Sequence, residues 1–268
     1  MDELLRQSNC NIVESIAPDF RKFTAARLAI GRSGGSLRTS EILDFDLAHA
    51  QAKDAVWSAF DADQLLDSLT RLFSQHQLSC HIVKVKSCAS HRSMYLKRPD
   101  LGRRLHADSI SILKNLPKGS GITLIISDGL SAQATHQHAE ELIHQFLLIS
   151  QSQKLPWQLD HILIVPFARV AISDQIGDLI QCRATAMLLG ERPGLSTPDS
   201  LGVYFTLDPK SGRMDADRNC ISNIHSQGLS ANDAARQLHF LIETSIKTGL
   251  GGVRLSEILA EKSLNSQT

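Results

Sequence analysis

The chain has no apolar run approaching the roughly 20 residues that span a bilayer, so no membrane-crossing helix is expected. It has no C-x-x-C pair, and its five cysteines, Cys10, Cys80, Cys88, Cys182 and Cys220, are an odd number. Neither a disulfide framework nor a zinc site is expected; reduced thiols of a cytoplasmic protein are. Neither charge is in excess, with 28 Lys and Arg against 28 Asp and Glu. Nucleic-acid binders usually show a basic surplus, so no nucleic-acid partner is expected. The opening residues, MDELLRQSNC, lack a basic segment followed by an apolar one, and no secretory signal is read there. Catalytic signatures are missing as well. There is no G-x-S-x-G elbow and no H-E-x-x-H. The glycine loop GRSGGS (31–36) lacks the Lys-Ser/Thr that completes a P-loop, and reads as a connector.

What is present is a globular α/β pattern. Hydrophobic residues make up 42% of 268, enough for a sizeable core. In residues 1–23, Leu5, Ile12 and Ile16 could share a helical face, but Asn9 and Asn11 interrupt it and Pro18 ends it, so a poorly ordered arm is expected. Thr39 or Ser40 can cap a helix running to about Val56. Asp61 caps the next, with Leu65, Leu66, Leu69, Leu72 and Phe73 as its apolar stripe. From Cys80 the period changes. CHIVKVKS alternates as a strand does, and SCASHRSMYLKRPDLGRRL is polar and irregular. Then GITLIIS, HILIV and ATAMLLG each make a buried run, the first two followed by amphipathic helices. VYFTL (203–207) is a further strand, and a last long helix runs from Ser230 to about Gly249. Strands alternating with helices in this way predict a mostly parallel sheet with helices on both faces, preceded by an N-terminal helical segment. The boundary is drawn between residues 1–78 and 79–268.

Parallel strands joined by right-handed crossovers bring their C-terminal ends to one edge, and ligands bind outside that edge. Four stretches should meet there: 87–92, SDGLS (127–131), PFARV (166–170) and GERPG (190–194). Their side chains are mixed: Asp128, Arg169, Val170, Glu191 and Arg192. Apolar surface beside polar groups suits a large, flat, amide-fringed ligand better than a small anion. The rival reading is a stand-alone enzyme on a small polar substrate, with Asp128 and Glu191 as acid and base. His136 and His138 read as surface histidines, and Lys97, Arg98, Arg103 and Arg104 as a solvated face or a protein contact. Cys220 reads as a buried structural thiol.

Six stretches are more specific than these patterns: LAIGRSGGSLRTSEILDFDLAHAQAKDAV, YLKRPDLGRRL, SDGLSA, RVAISDQIG, GERPGLSTPDSLGVY and DRNCISNI. Occurring in this order, from about Phe20 to about Gly252, they resemble the small subunit (light chain) of ethanolamine ammonia-lyase. The resemblance implies a Rossmann-like fold and the conversion of ethanolamine to acetaldehyde and ammonia by a radical route. It implies adenosylcobalamin as cofactor and a TIM-barrel large subunit as partner, the enzyme being an ammonia-lyase active only as that hetero-oligomer. The large subunit would hold substrate and the radical chemistry, and this chain would line the corrin, since cofactors carry such chemistry and protein supplies binding.

Carried over by motif, the cofactor contacts fall on Val170 in ARVAISD, Glu191 in GERPG and Cys220 in RNCISN, with Arg169 and Asn219 beside them. No proton-transfer or radical-handling residue is assigned to this chain. NIHSQG (223–228) has the spacing of the D-x-H-x-x-G signature of base-off cobalamin proteins but Asn for Asp, so His225 is not expected to ligate cobalt. Some members of the family are carried into a bacterial microcompartment by an N-terminal amphipathic helix, of which residues 1–19 are a poor version.

Overall fold

The computed structural model describes residues 32–119, 121–152 and 157–265. The reading of residues 1–23 as an arm lies outside them. By contacts the chain divides into two units, residues 1–50 and 51–268. In the first, strands β1 (Arg32–Ser33) and β2 (Ser36–Leu37) form an antiparallel hairpin turned at Gly34, whose φ is +62°. Helix α1 (Thr39–Trp57) begins at one of the two residues read as its cap and continues into the second unit.

The second unit is built on a six-stranded sheet. Its elements in chain order are α2 (Ala62–Gln75), β3 (His81–Lys84), α3 (Arg92–Lys97), α4 (Ala107–Asn115), β4 (Ile122–Ser127), α5 (Ala132–Gln151), β5 (Leu159–Ile164), α6 (Ile172–Ile180), β6 (Ala184–Gly190), β7 (Leu201–Leu207), β8 (Arg218–Ile224), α7 (Ala231–Thr248) and α8 (Gly252–Asn265). The strand order is β3-β5-β4-β6-β7-β8. The first four strands are parallel, and β7 and β8 add antiparallel neighbours. The sheet is therefore mixed: three of its five pairings are parallel, as expected of most of it, and the two at the β7–β8 side are antiparallel. Residues 191–200 are too short a link for a crossover helix, so β6 turns straight back into β7 as a hairpin.

Helices do cover both faces. One core joins Leu65, Leu69, Leu72 and Phe73 of α2 with Leu142, Ile143 and Phe146 of α5 and Leu238 and Ile242 of α7. The other joins Leu113 of α4 with Ile172, Ile176 and Ile180 of α6. The central strands β4 and β6 are buried along their whole length, as their unbroken apolar runs require. The caps lie where the side-chain chemistry puts them. Asp61 Oδ1 accepts from the N–H groups of Asp63 and Gln64 at 3.1 and 2.8 Å. Ser131 Oγ accepts from Ala134 N at 3.2 Å and Ser230 Oγ from Asp233 N at 3.1 Å. Gly249 ends α7 with φ +70°.

Five elements of this unit depart from expectation. The stretch after β3, read as irregular, holds α3 and a 3-10 turn at Leu101–Arg103, with α4 just beyond. Strand β8 and helix α8 carry no clear period. In β8 the buried positions are Arg218, Asn219, Ile221 and Ile224, which breaks strict alternation, and two of them are polar.

Candidate functional site

The helix after β4 packs on one face and the helix after β5 on the other, so the switch point of this sheet lies between the ends of these two neighbouring strands. In many α/β proteins a ligand sits there. Here protein fills the place. Asp128 is 1% exposed. Its Oδ2 accepts from Arg92 Nη1 at 2.8 Å, and its Oδ1 accepts from Phe167 N at 2.7 Å and Ser127 Oγ at 3.1 Å. Arg92 also donates to the carbonyls of Val56 and Gly129, both at 2.6 Å. Burial pushes the Asp128 carboxyl up, and Arg92 with the Phe167 and Ser127 donors offsets only part of that rise. Phe167 takes φ +56° to make its contact. A fully bonded, enclosed carboxyl has no face to offer a substrate, so Asp128 and Glu191 do not form an acid–base pair.

The other candidate residues lie further along, around β6, β7 and β8. Glu191 follows the last residue of β6 and is half-buried. Its N–H donates to Ser200 O at 2.8 Å, closing the β6–β7 hairpin. Its Oε2 accepts from Ser200 Oγ at 2.5 Å and from Asn223 N at 3.3 Å. The loop is pinned to α5, with Ser131 Oγ donating to Pro198 O at 2.9 Å and His138 facing Asp199 at 3.2 Å. Tyr204 and Cys220 are cross-strand partners, with Met187 beyond Tyr204 in β6. Cys220 is exposed, not buried as expected for a structural thiol. Strand alternation turns it to the face opposite Asn219 and Ile221, and Ser222, two residues on, is exposed with it. Partial enclosure of the sulfur, and then the charge of Glu191, raise the Cys220 thiol above its ordinary range. Burial, followed by Cys220 and Glu191, raises the Tyr204 phenol. Glu191, Tyr204 and Cys220 thus form one cluster.

Val170 stands just before α6 and packs, as Tyr204 does, on the α4–α6 side of the sheet. Arg169 is turned the other way. Its guanidinium lies 4.2 Å from the Tyr95 ring centroid, and its N–H donates to Gly102 O at 2.8 Å. Asn219 is buried, with Nδ2 donating to Gly252 O and Ser256 Oγ, and Oδ1 accepting from Gly252 N. Its amide anchors α8. His225 is buried with both ring nitrogens engaged, Nε2 with Asn223 Oδ1 at 2.8 Å and Nδ1 with Gln227 N at 3.2 Å. His136 is half-buried rather than a free surface histidine, accepting from Asp61 N at 3.0 Å. Arg98 and Arg104 share Asp100. Among the described residues, no group of three or more His, Cys, Asp or Glu could hold a metal ion, and no helix is long and apolar enough to cross a membrane.

Two participants were not legible beforehand. Tyr204 alternates like any strand residue, and Ser200 sits in a loop; only the register of β7 against β6 and β8 brings them to Glu191.

Comparison with known proteins decides the family. The family model for the ethanolamine ammonia-lyase light chain (EutC) matches residues 15–256. The chain belongs to this family. It is 45% identical over 251 residues to the ethanolamine ammonia-lyase small subunit of Pseudomonas putida strain GB-1, covering 92% of this chain and 89% of that one. The protein of the same name from Bradyrhizobium diazoefficiens is 43% identical over 246 residues, 91% of each chain. That from Xanthomonas campestris pv. campestris is 43% identical over 241 residues, 88% of this chain and 86% of its own. The matched span takes in all four strand ends and the Glu191–Tyr204–Cys220 cluster.

Proposed function

We propose that the chain is the small subunit of an ethanolamine ammonia-lyase and works with a TIM-barrel large subunit to turn ethanolamine into acetaldehyde and ammonia. The cofactor expected is adenosylcobalamin, which supplies radical chemistry when bound. This chain's part is to hold and orient. The residues present suit a broad ring fringed with amides. Glu191 Oε2 is tied to Ser200 and Asn223, while Oε1 accepts no bond among the described residues and lies beside Gly202. It is placed to accept from an amide N–H or a hydroxyl. Tyr204 and Val170 offer half-buried apolar surface for a flat group to pack on. Cys220, the cross-strand partner of Tyr204, and Ser222 are small, exposed side chains that leave room for approach. Arg169 and Asn219 act through the chain, fixing the loop before α6 and helix α8.

The Rossmann-like character lies in the four parallel strands with helices on both faces, and residues 79–268 form the cofactor-binding domain. The free cysteines Cys80, Cys88, Cys182 and Cys220 agree with a cytoplasmic setting. Enclosure in a microcompartment would depend on residues 1–19, which lie outside the described ones.

The observation that carries this reading is the meeting of Glu191, Tyr204 and Cys220 on an exposed sheet face in a member of this family. The test is co-expression with the large subunit, followed by an acetaldehyde assay with and without adenosylcobalamin. Turnover is expected only from the complex supplied with cofactor. Comparable turnover by the lone chain, or by the complex without cofactor, would refute the proposal.

A further inference from the structure

The β7–β8 ladder breaks beside Glu191. Leu201 pairs with Ile224 and Val203 with Ile221, so Ser222 and Asn223 together oppose Gly202. This is a β-bulge, and Asn223 takes φ +65° within it. The distortion re-aims a donor, because Asn223 N–H points at Glu191 Oε2, 3.3 Å away. Ser200, 8% exposed, gives the same oxygen a 2.5 Å hydrogen bond. On the other side, a Cβ added at Gly202 would stand 2.9 Å from Oε1 and 3.3 Å from Cδ and Cγ. One carboxylate oxygen is thus held by two donors, and the other lies in space left by a missing side chain.

We infer that Ser200, the Asn223 bulge and Gly202 are positioning elements that fix the Glu191 carboxylate with Oε1 turned toward the cofactor. This rests on the proposed role of Glu191 in cofactor binding. A carboxylate on a free side chain must give up rotamer freedom when it binds. Here that freedom is removed beforehand, and the closeness of the two donors to one oxygen breaks the equivalence of the pair.

The two flanking positions allow different perturbations. Ser200→Ala removes the stronger anchor. Gly202→Ala acts on the other oxygen. Gly202 is a strand residue without positive φ, and the nearest obstacle to its new methyl is the end of the Glu191 side chain, so the carboxylate should shift while the strand stays. Both variants, and Glu191→Ala, would be made in the complex with the large subunit. Adenosylcobalamin binding would be followed by absorbance titration, and each apo-complex melted separately. Loss of a charge-assisted hydrogen bond in Glu191→Ala should raise the apparent Kd about 10- to 150-fold. Ser200→Ala and Gly202→Ala should each raise it about 3- to 10-fold, the size of one net hydrogen bond. Apo-complex melting should stay close to wild type in all three. In the Glu191→Ala background, Ser200→Ala should add nothing further, because its effect passes through the carboxylate.

The outcomes separate the two claims. If Glu191→Ala binds as tightly as wild type, Glu191 does not touch the cofactor and the underlying reading fails. If Glu191→Ala is weakened but Ser200→Ala and Gly202→Ala are not, the positioning role is wrong. Independent, additive losses from Ser200→Ala and Glu191→Ala would also overturn it.

Discussion

Arg218 reaches across from β8 to α6 and meets Asp174 with two parallel hydrogen bonds, each 2.7 Å. Both side chains are 4% exposed. A bidentate pair this enclosed leaves a costly charge behind when one member is removed. Asp174→Ala should therefore destabilise the fold by about 3–5 kcal/mol, read as a lowered denaturation midpoint with unchanged slope. A loss below about 1 kcal/mol, the level of an exposed pair, would show that the interaction does not hold β8. Single residues were the least legible level of this protein. Val170 and Glu191 could be placed at the sheet edge from their strands, because a buried run followed by a turn fixes where its next residues emerge. Asn219 could not be told from Cys220 by type or spacing. Only strand alternation turns one toward Gly252 and the other to the exposed face.

Elements meet at the edge through glycine. A Cβ at Gly190, the last residue of β6, would stand 2.0 Å from Ser131 O and 2.6 Å from Asp128 O. One at Gly129, with φ +52°, would stand 2.3 Å from Gly190 O. The loop after β4 therefore lies directly on the end of β6, and Leu130 N donates to Gly190 O at 2.8 Å. Both obstacles are backbone, which cannot swing aside. Gly190→Ala should cost about 1–3 kcal/mol, as overpacking does. It should also displace Glu191, so cofactor affinity and melting temperature should fall together, unlike the pattern expected for Gly202→Ala. A Gly190→Ala complex that melts normally would contradict this close contact. At this scale the long elements were readable. The stripes of α2, α5, α6 and α7 and the apolar runs of β4, β5 and β6 carry their own period. Helix α3 is too short to show one, and the bulge in β8 disrupts its alternation. The direction of β7 was hidden for another reason, since nothing in VYFTL itself distinguishes a strand that turns back from one that crosses over.

As a whole molecule, the chain is a member of a light-chain family, and its proposed site includes the exposed Cys220 of β8. The half-buried Tyr204 and Val170 and the exposed Cys220 would face solvent in part in the lone subunit, and Leu43, Leu47 and Phe45 of α1 are exposed too. Apolar surface of this kind favours association. The free chain is expected to aggregate at concentrations where the co-expressed complex stays monodisperse by light scattering. A freely soluble lone chain, no better behaved with its partner, would contradict that. Function itself was legible only through the ordered motifs, because charge balance, cysteine count and the absence of catalytic signatures excluded classes without naming one.

Cobalamin seated against the β7–β8 face, as proposed, would cover Cys220, so this thiol reports on it directly. Cys182 is buried and Cys80 is half-buried, each thiol pushed up to about 12 chiefly by burial, so neither competes well for an alkylating reagent. Cys220 is exposed, and although its thiol is also raised, mildly alkaline buffer and long exposure to iodoacetamide should label it. The measurement is the rate of Cys220 alkylation in the complex, followed by peptide mass spectrometry, with and without saturating adenosylcobalamin. Bound cofactor should slow the labelling of Cys220 about tenfold or more, the protection expected when occupancy of the face exceeds nine-tenths. Equal rates in the two samples would contradict a cofactor seated on this face.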